Sequence, residues 1–290
     1  MKRRYLSSLA AVGFAALFYG PSPALAQAYL GPNLTPFAVL AGSTVTCAGT
    51  GATITGDLGL SPGTAVTGPC VVTGATHVAD AAAAAAQVDL TTAFTTTLGP
   101  SLPCGLDLTG TDLGGLTLTP GVYCFSTSAQ LTGTLTLNGS SSAVWVFKTG
   151  STLTTASGSS VVFIGGGNPC AVQWRVGTSA TLGTTTNFSG NILAQSSITL
   201  NTGASLNGRA LARTGAVTLD GNNVALFTAC GAGGGIGGVP PPFPGAAPTP
   251  LPSPSPVPTL PEIGAWALLL VLLGIGAYAL SRRTPTEASK

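Results

Sequence analysis

Thr181-Leu182-Gly183-Thr184-Thr185-Thr186-Asn187-Phe188-Ser189-Gly190-Asn191-Ile192-Leu193-Ala194 is followed, at an offset of 18, by Thr199-Leu200-Asn201-Thr202-Gly203-Ala204-Ser205-Leu206-Asn207-Gly208-Arg209-Ala210-Leu211-Ala212. The two segments match in character at every position. Leu200 aligns with Leu219 at 19, Leu116 with Leu135 at 19 and Leu135 with Leu153 at 18, so the period reaches across the body of the chain. A repeat this short cannot hold a helical pair; it suits one coil of a parallel β-solenoid, three short strands joined by turns. Gly and Asn fall between the strands, where turns need positive φ. Inward Leu and Val would stack from coil to coil, and the roughly 200 residues of the body suffice for such a core.

The strands follow two patterns. In Thr152-Leu153-Thr154, Thr199-Leu200 and Thr218-Leu219 the apolar residue alternates with polar ones, which predicts one buried and one wet face. Val144-Trp145-Val146, Val162-Phe163-Ile164, Ile192-Leu193-Ala194 and Ala210-Leu211-Ala212 are apolar throughout and should be covered on both sides. The cover is expected from residues 76–98, where Ala81 to Ala86, Val88, Leu90 and Phe94 predict one helix whose small side chains permit close approach to a sheet. Ala84 and Ala85 are the candidates for that contact.

Of 290 residues only 6% are charged, far below the ordinary ~25%. Within the body Lys148, Arg175, Arg209 and Arg213 stand against Asp57, Asp80, Asp89, Asp107, Asp112 and Asp220, so no basic patch exists to hold phosphates and nucleic acid is excluded as a partner. Hydrolases and lyases also use solenoids, but glycoside hydrolysis needs paired carboxylates. Asp107 and Asp112 lie in a Gly-rich connector without a counterpart one coil on, Asp57 belongs to a turn, and His77 is placed at the start of the helix. No zinc spacing or phosphate loop is present. The chain is expected to have no enzymatic activity, no metal and no cofactor.

The ends carry addresses. Lys2-Arg3-Arg4, an apolar run and Ala24-Leu25-Ala26 mark residues 1–26 as a secretory signal peptide, leaving residues 27–232 as the solenoid domain. Residues 233–262 are rich in Gly and then Pro and read as an extended stalk. Residues 263–281 are long and apolar enough to cross a bilayer, and residues 282–290, with Arg282 and Arg283, form a cytoplasmic tail. Val257-Pro258-Thr259-Leu260-Pro261-Glu262-Ile263-Gly264 resembles the IPTL-type C-terminal sorting signal of Gram-negative bacteria, with Val257 in place of the usual Ile. That resemblance implies an exosortase-like transpeptidase and the membrane as partners, and a surface-displayed or released product.

Cys47, Cys70, Cys104, Cys124, Cys170 and Cys230 all fall in the exported part, an even number in an oxidising compartment, which favours disulfides over metal. Fifteen pairings are open. Cys104 and Cys124 are 20 apart, about one coil, which favours that bridge and leaves Cys47 with Cys70 and Cys170 with Cys230.

Phe37-Ala38-Val39-Leu40-Ala41-Gly42-Ser43-Thr44-Val45-Thr46, Gly56-Asp57-Leu58-Gly59-Leu60-Ser61-Pro62-Gly63, Thr117-Leu118-Thr119-Pro120-Gly121-Val122-Tyr123 and Asn207-Gly208-Arg209-Ala210-Leu211-Ala212 resemble, in order, the hallmark segments of the microbial ice-binding protein family. The resemblance implies a discontinuous right-handed solenoid of triangular section with one long helix alongside. It also implies a monomer that adsorbs to ice crystals through one flat face, often built on Thr-Ala/Gly-x-Thr/Asn repeats, and so inhibits recrystallisation. Carried onto this chain, that motif selects Thr155 and Ser157, Thr184 and Thr186, and Thr202 and Ser205 as the ice-contacting column, continued without Thr by Gly221-Asn222-Asn223. The competing expectation is a surface adhesin or matrix protein with the same fold and no useful affinity for ice.

Overall fold

In the computed structural model, residues 29–227 are described, and they form a parallel β-solenoid with one helix beside it. Every strand pairing is parallel, and each coil contributes strands to three sides. One side is a seven-stranded sheet running Ala129–Leu131, Leu153–Thr155, Ala180–Leu182, Ile198–Leu200, Val217–Asp220, Thr44–Ala48 and Ala65–Thr67. The other two are joined because Asn187–Ala194 and Ser205–Ala212 each bend round a corner in mid-strand. The bends fall at Gly190 (φ +114°) and Gly208 (φ +148°), and a Cβ on Gly208 would lie 2.0 Å from the Gly190 carbonyl oxygen. Only glycine fits there.

The order of coils along the axis is not the order in the chain. Val217–Asp220 and Asn223–Ala225 start a coil whose third side is supplied by the N-terminal strand Phe37–Ala41, which pairs with Ser205–Ala212 on one edge and Asp57–Leu60 on the other. The chain therefore builds one end first. It then runs along the barrel as the helix and coils back until its last strands meet its first.

The 18-residue repeat holds for all eight residue pairs between Asn187–Ala194 and Ser205–Ala212. Elsewhere the coil length changes: the pairing of Ala129 with Leu153 spans 24 residues and that of Leu153 with Ala180 spans 27. The alignment of Leu135 with Leu153 is therefore wrong, since Leu135 stacks on Val161 on a different side. Longer coils enclose a wider section and fill it with Trp145, Phe147 and Trp174, with Phe147 and Trp174 stacked 3.9 Å apart. In the short coils Ile192 and Ala210 occupy the row that Trp174 occupies.

The helix is Ala81–Thr92, continued by a wider π turn over Ala93–Thr97. It starts later than residue 76 because Thr76–Val78 is a strand paired with Asp57–Leu60, so His77 sits on that strand and not on the helix. Asp80 is the N-cap, its Oδ1 accepting from the Ala83 amide at 2.9 Å. Ala83, Ala86, Leu90, Ala93 and Phe94 are buried. Ala86, Leu90, Ala93 and Phe94 pack with Leu40, Val146, Leu193 and Leu211 in a second core outside the barrel. Ala84 is exposed and Ala85 half-buried, so the residues that touch the sheet are one position off the expected pair. The helix covers the expected strands at Val144 to Val146, Leu193 and Leu211, but not Val162-Phe163-Ile164. These lie on the third side, with Ile164 45% exposed.

Two disulfides stand as expected, Cys47 with Cys70 and Cys104 with Cys124, with Cα atoms 5.3 and 5.9 Å apart. The pairing of Cys170 with Cys230 involves Cys230, which lies outside the described residues, as do the signal peptide, stalk, sorting helix and tail. Among the described residues no helix is long and apolar enough to cross a membrane.

Candidate functional site

The expected column does not form one surface. Thr155 pairs with Leu131 and points into the barrel, 3% exposed; its hydroxyl accepts from the Gly183 amide and bonds the Thr186 hydroxyl at 2.9 Å. Thr186 is fully buried and also donates to the Ala156 carbonyl. These two hydroxyls satisfy backbone groups inside a corner and are out of reach of any ligand. For Thr155 the cause is the 27-residue coil, which places Ser157, not Thr155, beside Thr184; Thr186 is inward at the same place as Ala204 one coil on. Ser157, Thr184 and Thr202 are exposed at the corner turns, where Thr202 donates to the carboxylate of Asp220. Ser205 lies round the corner on the third side and donates to Asn187 Oδ1 at 2.8 Å.

A regular column does exist, one side away. On the seven-stranded sheet the central outward residues are Thr67, Thr46, Thr218, Thr199, Thr181 and Thr154, each the direct register partner of the next. No bulge interrupts the pairing along these strands. Their inward neighbours Val45, Leu153, Leu182, Leu200 and Leu219 are fully buried, so strand alternation drives the threonines outward. Adjacent strands repeat every ~4.8 Å, and β-branched Thr holds its methyl and hydroxyl on a stiff χ1. Thr67 donates to Thr46 across that gap at 3.2 Å. Two residues upstream runs a second row of small side chains, Thr44, Ala216, Ser197, Ser179 and Thr152. The signal was present in the sequence as the alternating Thr-Leu segments, which pointed to a half-wet sheet without marking it as a site.

The cations lie away from this column, and Asp220, two residues beyond Thr218 on the same outward face, has its carboxylate bonded by the Thr202 hydroxyl. Lys148 donates to the carbonyls of Gly99 and Leu102, Arg175 to that of Phe94, and the Arg175 and Arg213 guanidinium groups lie 4.2 and 4.9 Å from the Phe94 ring. All three serve the C-terminal end of the helix, where carbonyls lack partners. Burial, with the neighbouring Arg175, lowers the Lys148 ammonium from its ordinary pKa. Arg209 is 4% exposed, donates to Asn191 Oδ1 and the Thr35 carbonyl, and is pushed down to about 10 by burial. Asp107 accepts from the hydroxyl and amide of Thr109, which hold its carboxyl below the usual range. Burial raises Asp112, but the hydrogen bonds from Gly114 and Thr132 outweigh it and the net direction is down. Both carboxylates hold turns together. Among the described residues no group of three or more metal-ligating side chains comes together.

Residues 39–225 match the family model described as Ice-binding-like. A protein named ice-binding protein from Nostoc sp. (strain HG1) is 51% identical over 230 residues, covering 78% of this chain and 83% of its own. Another of that name from Flavobacterium frigoris (strain PS1) is 36% identical, covering 60% and 67%. The crystal structure of an ice-binding protein from the Antarctic ascomycete Antarctomyces psychrotrophicus superposes with a TM-score of 0.64 at 40% identity, covering 68% of this chain and 97% of that one. With most of its solenoid inside the match and these relatives along its length, the chain belongs to the ice-binding-like family.

Proposed function

We propose that this protein adsorbs to ice through the threonine side of its solenoid and thereby inhibits recrystallisation. The observation that carries the reading is the column Thr67, Thr46, Thr218, Thr199, Thr181 and Thr154, six outward threonines in direct register with no charged side chain among them. Rows of methyl and hydroxyl groups at strand spacing can hold water in positions comparable to those of an ice lattice, whereas a charge would bind water in its own geometry. Ser157, Thr184 and Thr202 flank this surface at its edge; Thr155 and Thr186 support the corner from within. The relatives' names support ice as the ligand.

The protein binds and does not catalyse, in keeping with the turn-holding roles of Asp107 and Asp112. It acts as a monomer. Residues 1–26 direct export, residues 233–262 hold the solenoid off the membrane, and residues 263–281 anchor it until an exosortase-like transpeptidase cuts near Pro258-Thr259-Leu260; these assignments rest on the sequence of the two ends. The test is a recrystallisation assay on the exported chain with thermal hysteresis measured in parallel. Activity in both is expected. A folded protein inactive in both overturns the reading and leaves the surface adhesin.

A further inference from the structure

The threonine column stops before the sheet does. Thr154 pairs with Gln130 in the last strand of the seven, Ala129–Leu131, and Gln130 is bridged in turn to Asp112. Gln130 is thus the seventh position of the same row, exposed as Thr154 and Thr67 are at its two ends while the four threonines between are half-buried, with Ala129 and Leu131 buried on either side of it. Its backbone follows the same ladder, the Gln130 carbonyl accepting from the Leu113 amide at 2.9 Å. Only the side chain differs. Gln is longer than Thr by a rotatable bond or two, carries no methyl, and here leans to the Thr132 hydroxyl at 3.4 Å. One rung further, Asp112 places a carboxylate in the row, kept ionised by the amides of Gly114 and Thr132.

Resting on the ice-adsorption reading above, we infer that Gln130 sets the end of the ice contact: adsorption extends over the coils from Thr67 to Thr154 and stops where a flexible amide replaces the stiff hydroxyl-and-methyl pair. Ser128 and Thr132 flank Gln130 just as Thr152 and Ala156 flank Thr154, so the neighbouring small side chains needed for one more rung are already in place. The limit on contact area is then one side chain and not the fold. Threonine is favoured in a strand, and the substitution leaves the inward neighbours untouched.

Gln130→Thr in the full chain should raise thermal hysteresis and lower the concentration needed to stop recrystallisation, with an unchanged melting temperature. Thr199→Tyr, in the middle of the column, is measured beside it. Loss of activity in Thr199→Tyr with a gain in Gln130→Thr supports the inference. Loss in Thr199→Tyr with no gain in a folded Gln130→Thr overturns it while the adsorbing side stands. Full activity in Thr199→Tyr overturns both. If threonine disturbs the terminal strand, Thr154→Gln gives the reverse comparison by shortening the column one rung: a fall in thermal hysteresis supports the inference, and unchanged activity there is counted against it.

Discussion

Arg209 shows what a single side chain does in a chain with so few charges. It is buried between the N-terminal strand and the stack of short coils, and it ties the Thr35 carbonyl to Asn191 Oδ1. Arg209→Ala would leave the buried Asn191 Oδ1 without this donor, a loss of about 1–3 kcal/mol, while the Thr35 carbonyl, on an exposed residue, can turn to water. Urea denaturation should show a lower midpoint; an unchanged one would mean that water or a shifted amide replaces the guanidinium. Asp80 makes a second residue-scale prediction. The Ala83 amide first, then the His77 side chain, hold its carboxyl below the ordinary 3.8 in the folded state. A depressed folded value stabilises above the unfolded value and is lost as pH falls through the folded one. Asp107 and Asp112 shift in the same direction, so stability should hold at pH 5 and decline below the ordinary carboxylate range. Asp80→Asn should flatten part of that decline, which acid titration followed by circular dichroism would show.

The helix and the disulfides are where elements can be tested. Ala83 and Ala86 are fully buried against the sheet while Ala84 is exposed. Ala86→Leu should cost about 1–3 kcal/mol by overpacking, and Ala84→Leu close to nothing. Equal effects in thermal melts would show that the helix does not rest on the barrel through that row. Reducing Cys47–Cys70 releases a crosslink of separation 23 at one end of the solenoid, worth about 3 kcal/mol by loop entropy. The helix itself was legible as a run of Ala and the Cys104–Cys124 bridge from its coil-sized spacing, while Cys47–Cys70 followed only as a pair left over. Its start and facing were not, because Thr76–Val78 could pair with Asp57–Leu60 only once the second coil had closed. The covered strands were legible only in part: Val162-Phe163-Ile164 has the composition of a buried strand, yet it lies on a side with no helix above it.

At the scale of the whole molecule the solenoid could be read from the 18-residue repeat, and the family from the segments that close its ends. The proposed ice-contacting column lies one side away from the one that the motif selects. A motif taken in sequence placed Thr155 and Thr186 on the surface, whereas a 27-residue coil aligns Thr155 with the inward Leu182, and Thr186 shares its inward position with the buried Ala204 even at the regular offset of 18. Which outward rows run unbroken over many coils depends on the stacking of the N-terminal strand Thr44–Ala48 between Val217–Asp220 and Ala65–Thr67, a contact between opposite ends of the solenoid sequence. The most direct test compares Thr199→Tyr, half-buried on the outward face of the sheet, with Thr184→Tyr, exposed at the corner and expected to change stability by no more than about 0.5 kcal/mol, with the melting temperature of both recorded. Thermal hysteresis should fall sharply for Thr199→Tyr and remain largely intact for Thr184→Tyr; loss in Thr184→Tyr with full activity in Thr199→Tyr would contradict the threonine side as the surface that meets ice.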